Sequence, residues 1–96
     1  MFTHIVFFKL KEATNENVEK ASEILNSMEG QIPELKGLEV GIDVVRSERS
    51  FDLALVTRFD SKEDYEVYAV SDFHVNKVLK NLKPMLECSK TVDYQL

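Results

Sequence analysis

THIVFFKL (residues 3–10) decides the fold. The stretch is short, β-branched and aromatic, so it reads as a strand. Alternation puts His4, Val6, Phe8 and Leu10 on one side and Thr3, Ile5, Phe7 and Lys9 on the other. Both faces carry large apolar groups. A strand of this kind belongs to a sheet that is covered twice.

Working outward, a helix follows the strand. Thr14 or Asn15 can cap it, and Glu16 and Glu19 stand in the first turn, where the helix dipole favours them. Val18, Ala21, Leu25, Met28 and Ile32 recur at spacings of three and four, which makes one apolar face. Gly30 and Pro33 stop the helix near Ile32. GLEVGIDVV (37–45) and FDLALVTRF (51–59) then read as an antiparallel hairpin across the polar segment RSERS, which has the composition of solvated surface. Leu38, Val40, Ile42 and Val44 share one face of the first strand; Phe51, Leu53, Leu55 and Phe59 share one face of the second, with Ala54 and Val56 opposite.

Asp60 or Ser61 caps the next helix, SKEDYEVYAV, with Ser61 and Asp64 spaced as a capping box. That helix ends near Val70. Another starts at Ser71 or Asp72, is expected to bury Val75, Val78, Leu79 and Leu82, and is closed by Pro84. In CSKTVDYQL, Cys88, Lys90, Val92, Tyr94 and Leu96 alternate with polar residues, as in a last strand. The order β-α-β-β-α-β is the split βαβ arrangement: a ferredoxin-like α+β protomer, with a four-stranded antiparallel sheet and its helices on one face. Ile5, Phe7, Ala54 and Val56 on the other face then call for a second copy of the sheet, packed face to face as a symmetric homodimer.

The composition narrows the function. At 96 residues the chain is expected to form one domain, with a limited core that a partner subunit would extend. A net charge of −5 argues against nucleic acid and anionic membranes as partners. The single cysteine, Cys88, suits a reducing cytoplasm and reads as a core thiol. MFTHIVFFKLKE has no basic region or cleavage site of a signal peptide, and its apolar run is too short for a bilayer span. Two histidines and one cysteine stand at spacings unlike any local ligand motif, so no structural zinc site and no metal-ligating residue is assigned; these spacings leave oxygen ligation of a hard cation open. There is no glycine-rich phosphate loop, no G-x-S-x-G elbow and no nucleotide fingerprint, so no cofactor is expected either.

Four segments together resemble the stress-responsive dimeric α/β-barrel domain family: HIVFFK (4–9), IPELKGLEVGID (32–43), FDLALVTRF (51–59) and the Y-x5-H pair Tyr68 and His74. The resemblance spans nearly the whole chain. It implies a ferredoxin-like protomer whose paired sheets close into a dimeric barrel, and for most members no established activity. It also implies a candidate site. A plant polyketide cyclase in that family closes a poly-β-keto thioester by aldol condensation, and its catalytic tyrosine and histidine fall on Tyr68 and His74. Its strand-one histidine falls on His4. The family usually carries His-Pro between the pair, where this chain has Ser71-Asp72.

Two readings of these residues follow. In one, a homodimer holds a small apolar or β-keto ligand between helices and sheet, with His4 among the binding groups and no turnover. In the other, the same place is a cofactor-independent enzyme site of aldol or monooxygenase type. His74 is then the general base, kept neutral by its place in the first turn of a helix, and Tyr68 the donor to the enolate. Against both stands ordinary packing, with His4 a hydrogen-bonded core histidine, Tyr65 and Phe73 packing groups, and Tyr68 a half-buried aromatic whose hydroxyl reaches the surface.

Overall fold

The computed structural model describes residues 1–96. Its elements are β1 (Phe2–Leu10), α1 (Asn15–Asn26), β2 (Gly37–Ile42), β3 (Leu53–Phe59), α2 (Lys62–Val70), a π-helical segment (Phe73–Leu79) continuing as α3 (Lys80–Leu82) and a 3-10 turn (Lys83–Met85), and β4 (Leu86–Gln95). The sheet order is β2-β3-β1-β4, with every neighbouring pair antiparallel. β3 therefore lies between β1 and β2, which is the split βαβ topology expected from the sequence.

Caps set the helix starts. The Thr14 hydroxyl accepts the Asn17 amide at 3.1 Å, and the Ser61 hydroxyl accepts that of Asp64 at 3.1 Å. The stripe on α1 is buried as spaced, through Val18, Ala21 and Leu25 and on to Met28 and Ile32. The helix itself ends earlier than Pro33 implies, at Asn26. From there three-residue turns carry the chain, with Glu29 N–H on the Asn26 carbonyl and Gln31 N–H on that of Met28, through Gly30 at φ +75°.

The side chains of β1 divide largely as the alternation requires, although Thr3 on the open side is also buried. Phe2, His4, Val6, Phe8 and Leu10 are buried beneath the helices, while Phe7 on the other side is 45 % exposed. Leu53, Leu55 and Phe59 of β3 complete the core against Ala21, Leu25, Tyr68, Val78 and Leu82. The opposite face of the sheet has no helix on it.

Three further local features depart from the sequence reading. β2 stops at Ile42, and Val44 and Val45 are exposed. Phe51 does not share the face of Leu53. Its ring packs near that of Phe7, 6.4 Å between centroids, and Asp52 turns inward instead. The reason is polar: the buried Asp52 carboxylate accepts the Leu10 amide at 2.7 Å and a guanidinium N–H of Arg46 at 2.8 Å, while Asp52 N–H donates to the Phe8 carbonyl. Arg46 reaches it from a left-handed conformation, φ 57°, so one residue of the RSERS segment has a structural role. The third departure is Val75, 39 % exposed rather than buried. Lys80 N–H bonds the Val75 carbonyl five residues back, and this wider winding displaces Val75 from the Val78 stripe.

Candidate functional site

The break between α2 and the π-helical segment assembles the candidate site. Ser71 leaves helical geometry at ψ 149°, and its hydroxyl serves both sides. It donates to the Tyr68 carbonyl at 2.9 Å and accepts the His74 amide at 3.3 Å. The turn brings the two rings together, 4.4 Å between centroids. His4 arrives from β1, 6.5 Å from Tyr68 and 4.8 Å from Tyr65.

These groups line one cavity of about 250 Å³ between the helices and the sheet. His4, Tyr68 and His74 all contribute to it. Val6, Phe8, Leu25, Met28, Val78 and Leu82 give it apolar walls, and Lys83, Ser89 and Thr91 add polar groups. Its volume lies just below the ~300–1,000 Å³ usual for sites that take drug-sized ligands.

The hydrogen bonds fix what each group offers. His74 Nδ1 lies 2.9 Å from the Ala69 carbonyl. A carbonyl only accepts, so Nδ1 carries the proton and Nε2 keeps a lone pair. Burial depresses the pKa of the ring; His4 and Lys83 depress it further, against the opposing effect of the Ala69 carbonyl. The neutral state expected from the helix start therefore has desolvation as its main cause. Tyr68 is 1 % exposed, so its hydroxyl does not reach the surface. It donates instead to Met28 Sδ at 3.6 Å, and burial, with a smaller effect of Tyr65, raises its pKa well above the usual phenol range. A thioether is a weak acceptor, which leaves this donor free for a better one. His4 Nδ1 is bonded to the Asp93 carboxylate, across the register pair His4↔Asp93, so His4 both makes a core hydrogen bond and lines the cavity. Tyr65 packs against it, with a pKa raised by burial and then by Asp93 and Glu66.

Asp93, Ser89, Thr91 and Lys83 do not stand out in the sequence. The first three are alternate residues of β4, on the same side as His4, and the register with β1 would have revealed them.

Fold and site together define a ferredoxin-like α+β domain with a histidine- and tyrosine-lined cavity between sheet and helices. The chain belongs to the stress responsive A/B barrel domain family, whose model matches residues 2–96. It is similar in structure to a dimeric ferredoxin-like protein of unknown function from Thermobifida fusca: 27 % identity, 99 % of this chain and 90 % of that one covered, TM-score 0.85. A dimeric protein of unknown function from Bacteroides fragilis is similar at 28 % identity, with 99 % and 95 % covered and a TM-score of 0.84. A hydroxynitrile lyase from Passiflora edulis shares the fold at 20 % identity, with 99 % and 92 % covered and a TM-score of 0.83. No curated protein matches the sequence. No helix of the chain is long and apolar enough to cross a membrane.

Proposed function

We propose that this chain acts as a homodimer that binds a small, largely apolar, enolisable compound in the cavity between helices and sheet. One observation carries the reading: three polar rings, His4, Tyr68 and His74, converge on a mainly apolar space of about 250 Å³. A few convergent polar groups in an apolar concavity are the ordinary signature of a ligand site.

A second reading, base catalysis, is favoured by the Ala69 bond to His74. The neutral ring presents Nε2 to take a proton from the carbon beside a carbonyl, and the electron pair left behind moves to the carbonyl oxygen as an enolate. Tyr68 O–H would turn from Met28 Sδ to that oxygen. A positioned base typically contributes ~10²–10⁴-fold.

The test follows both histidine rings by NMR across pH, alone and with β-keto acids and phenolic compounds. His74 is expected to titrate below the ~6.5 of a free histidine and to shift on binding. A His74 resonance indifferent to every compound would remove the ligand site. His74→Gln separates the two readings: catalysis requires that turnover be lost while binding and dimer persist, and retained turnover would sink it.

A further inference from the structure

The cavity has an unmatched charge at its edge. No aspartate or glutamate lines it, and Lys83 is the one lining residue with a permanent charge at neutral pH. The chain as a whole carries −5, so a cavity whose one charged lining residue is positive runs against the surrounding field; the carboxylate beside the lining, Asp93, is already bonded to His4. Lys83 is also unpaired: the three salt bridges of the chain start from His4 and Arg46. Its backbone is held in the 3-10 turn before Pro84, where the Leu86 amide bonds the Lys83 carbonyl. The Ser89 and Thr91 hydroxyls of β4 line the same cavity and supply neutral donors.

We propose that the ligand is an amphipathic anion, with a carboxylate bound by Lys83, Ser89 and Thr91 and a short apolar body between Leu25, Val78 and Leu82. This rests on the ligand-binding reading above and narrows it to an acid. Size limits the body. A dry cavity of ~150 Å³ holds one benzene ring, so about 250 Å³ admits a single ring or a short chain together with its head group. Lys83 and His74 line the same cavity, and the Lys83 charge is the smallest of the effects that lower the His74 pKa, after burial and His4. A bound carboxylate would offset that effect, and the His74 midpoint would move up.

The experiment uses matched probes on the full chain: phenylacetate against phenylacetamide, and hexanoate against hexanamide, with affinity and the His74 titration read by NMR. Each acid is expected to bind about tenfold tighter than its amide and to raise the His74 midpoint, as a charge-assisted hydrogen bond implies. Lys83→Met keeps the aliphatic stem and should erase the preference, leaving amide binding in place. Lys80→Met, an exposed residue outside the cavity lining, should leave the preference intact. Equal affinity of acid and amide in the unaltered protein, or a preference that survives Lys83→Met, overturns the proposal while leaving the ligand site standing. Binding of none of the four probes would also overturn the acid proposal, and the ligand site would then stand or fall on the β-keto and phenolic titration above.

Discussion

Asp52 holds two partners at once, so truncating it should be costly out of proportion to its size. In Asp52→Ala the Leu10 amide loses its acceptor and Arg46 loses its buried carboxylate. A buried donor left without a partner costs about 1–3 kcal/mol, which urea melts at pH 7 would read. The pH dependence has a definite sign. Burial pushes the Asp52 carboxyl up, but the Leu10 amide and Arg46 together hold it below its usual value. A pKa lower in the folded than in the unfolded chain stabilises above ~3.9 and loses that effect as pH falls through the folded value. The gap between Asp52→Ala and the parent should therefore narrow below pH 4; an unchanged gap would show that the carboxylate charge is irrelevant. The family resemblance pointed to His4, Tyr68 and His74, and the three line one cavity. Asp52 was not legible in the sequence. It sits in the alternation FDLAL as an outward residue, and only the tertiary position of the Leu10 amide turns it inward.

At the scale of elements, the break after α2 was legible and the winding after it was not. Ser71 and Asp72 are cap residues in sequence, and Ser71 does end α2 and hold the His74 amide. Valines at 75 and 78 look the same in an α- or a π-winding, because the choice rests on backbone bonds five residues apart, such as Lys80 to Val75, rather than on composition. Lys83 and Asp93 were hidden for a related reason. Their meaning depends on the β1–β4 register and on the rotation of the π-helical segment, not on local spacing. The hydroxyl of Ser71 supports this junction from both sides. Ser71→Ala should cost about 0.5–2 kcal/mol, the usual value of a lost cap. Ser71→Thr should restore most of it. Ser71→Ala should also loosen His74, so its NMR midpoint would move toward that of a free histidine. A cost without that movement would limit Ser71 to stability, and no effect on either would show that the junction is held by packing alone.

For the whole molecule the decisive quantity is uncovered apolar surface. Only 19 of 96 residues are buried, so the single layer of helices leaves the core of one protomer small. The residues that would enlarge it lie on the other side of the sheet. Phe7 is 45 % exposed and Val92 59 %, and the register sets Ile5 between Val56 and Val92 and Phe7 beside Ala54. A contiguous sheet face of this composition fits a self-complementary interface, where each residue meets its own symmetry mate or a neighbour. A standard interface buries about 800 Å² on each partner, which one face of a four-stranded sheet can supply. Phe7→Asp puts a charge at the centre of that face. We expect light scattering to give twice the 11.1 kDa chain mass for the parent and a single chain mass for Phe7→Asp. Val70→Asp, equally radical but at the exposed end of α2, should keep the double mass. A parent that runs as one chain at micromolar concentration would sink the homodimer. A Phe7→Asp dimer would move its interface off the sheet, and the face read first from THIVFFKL would need another cover.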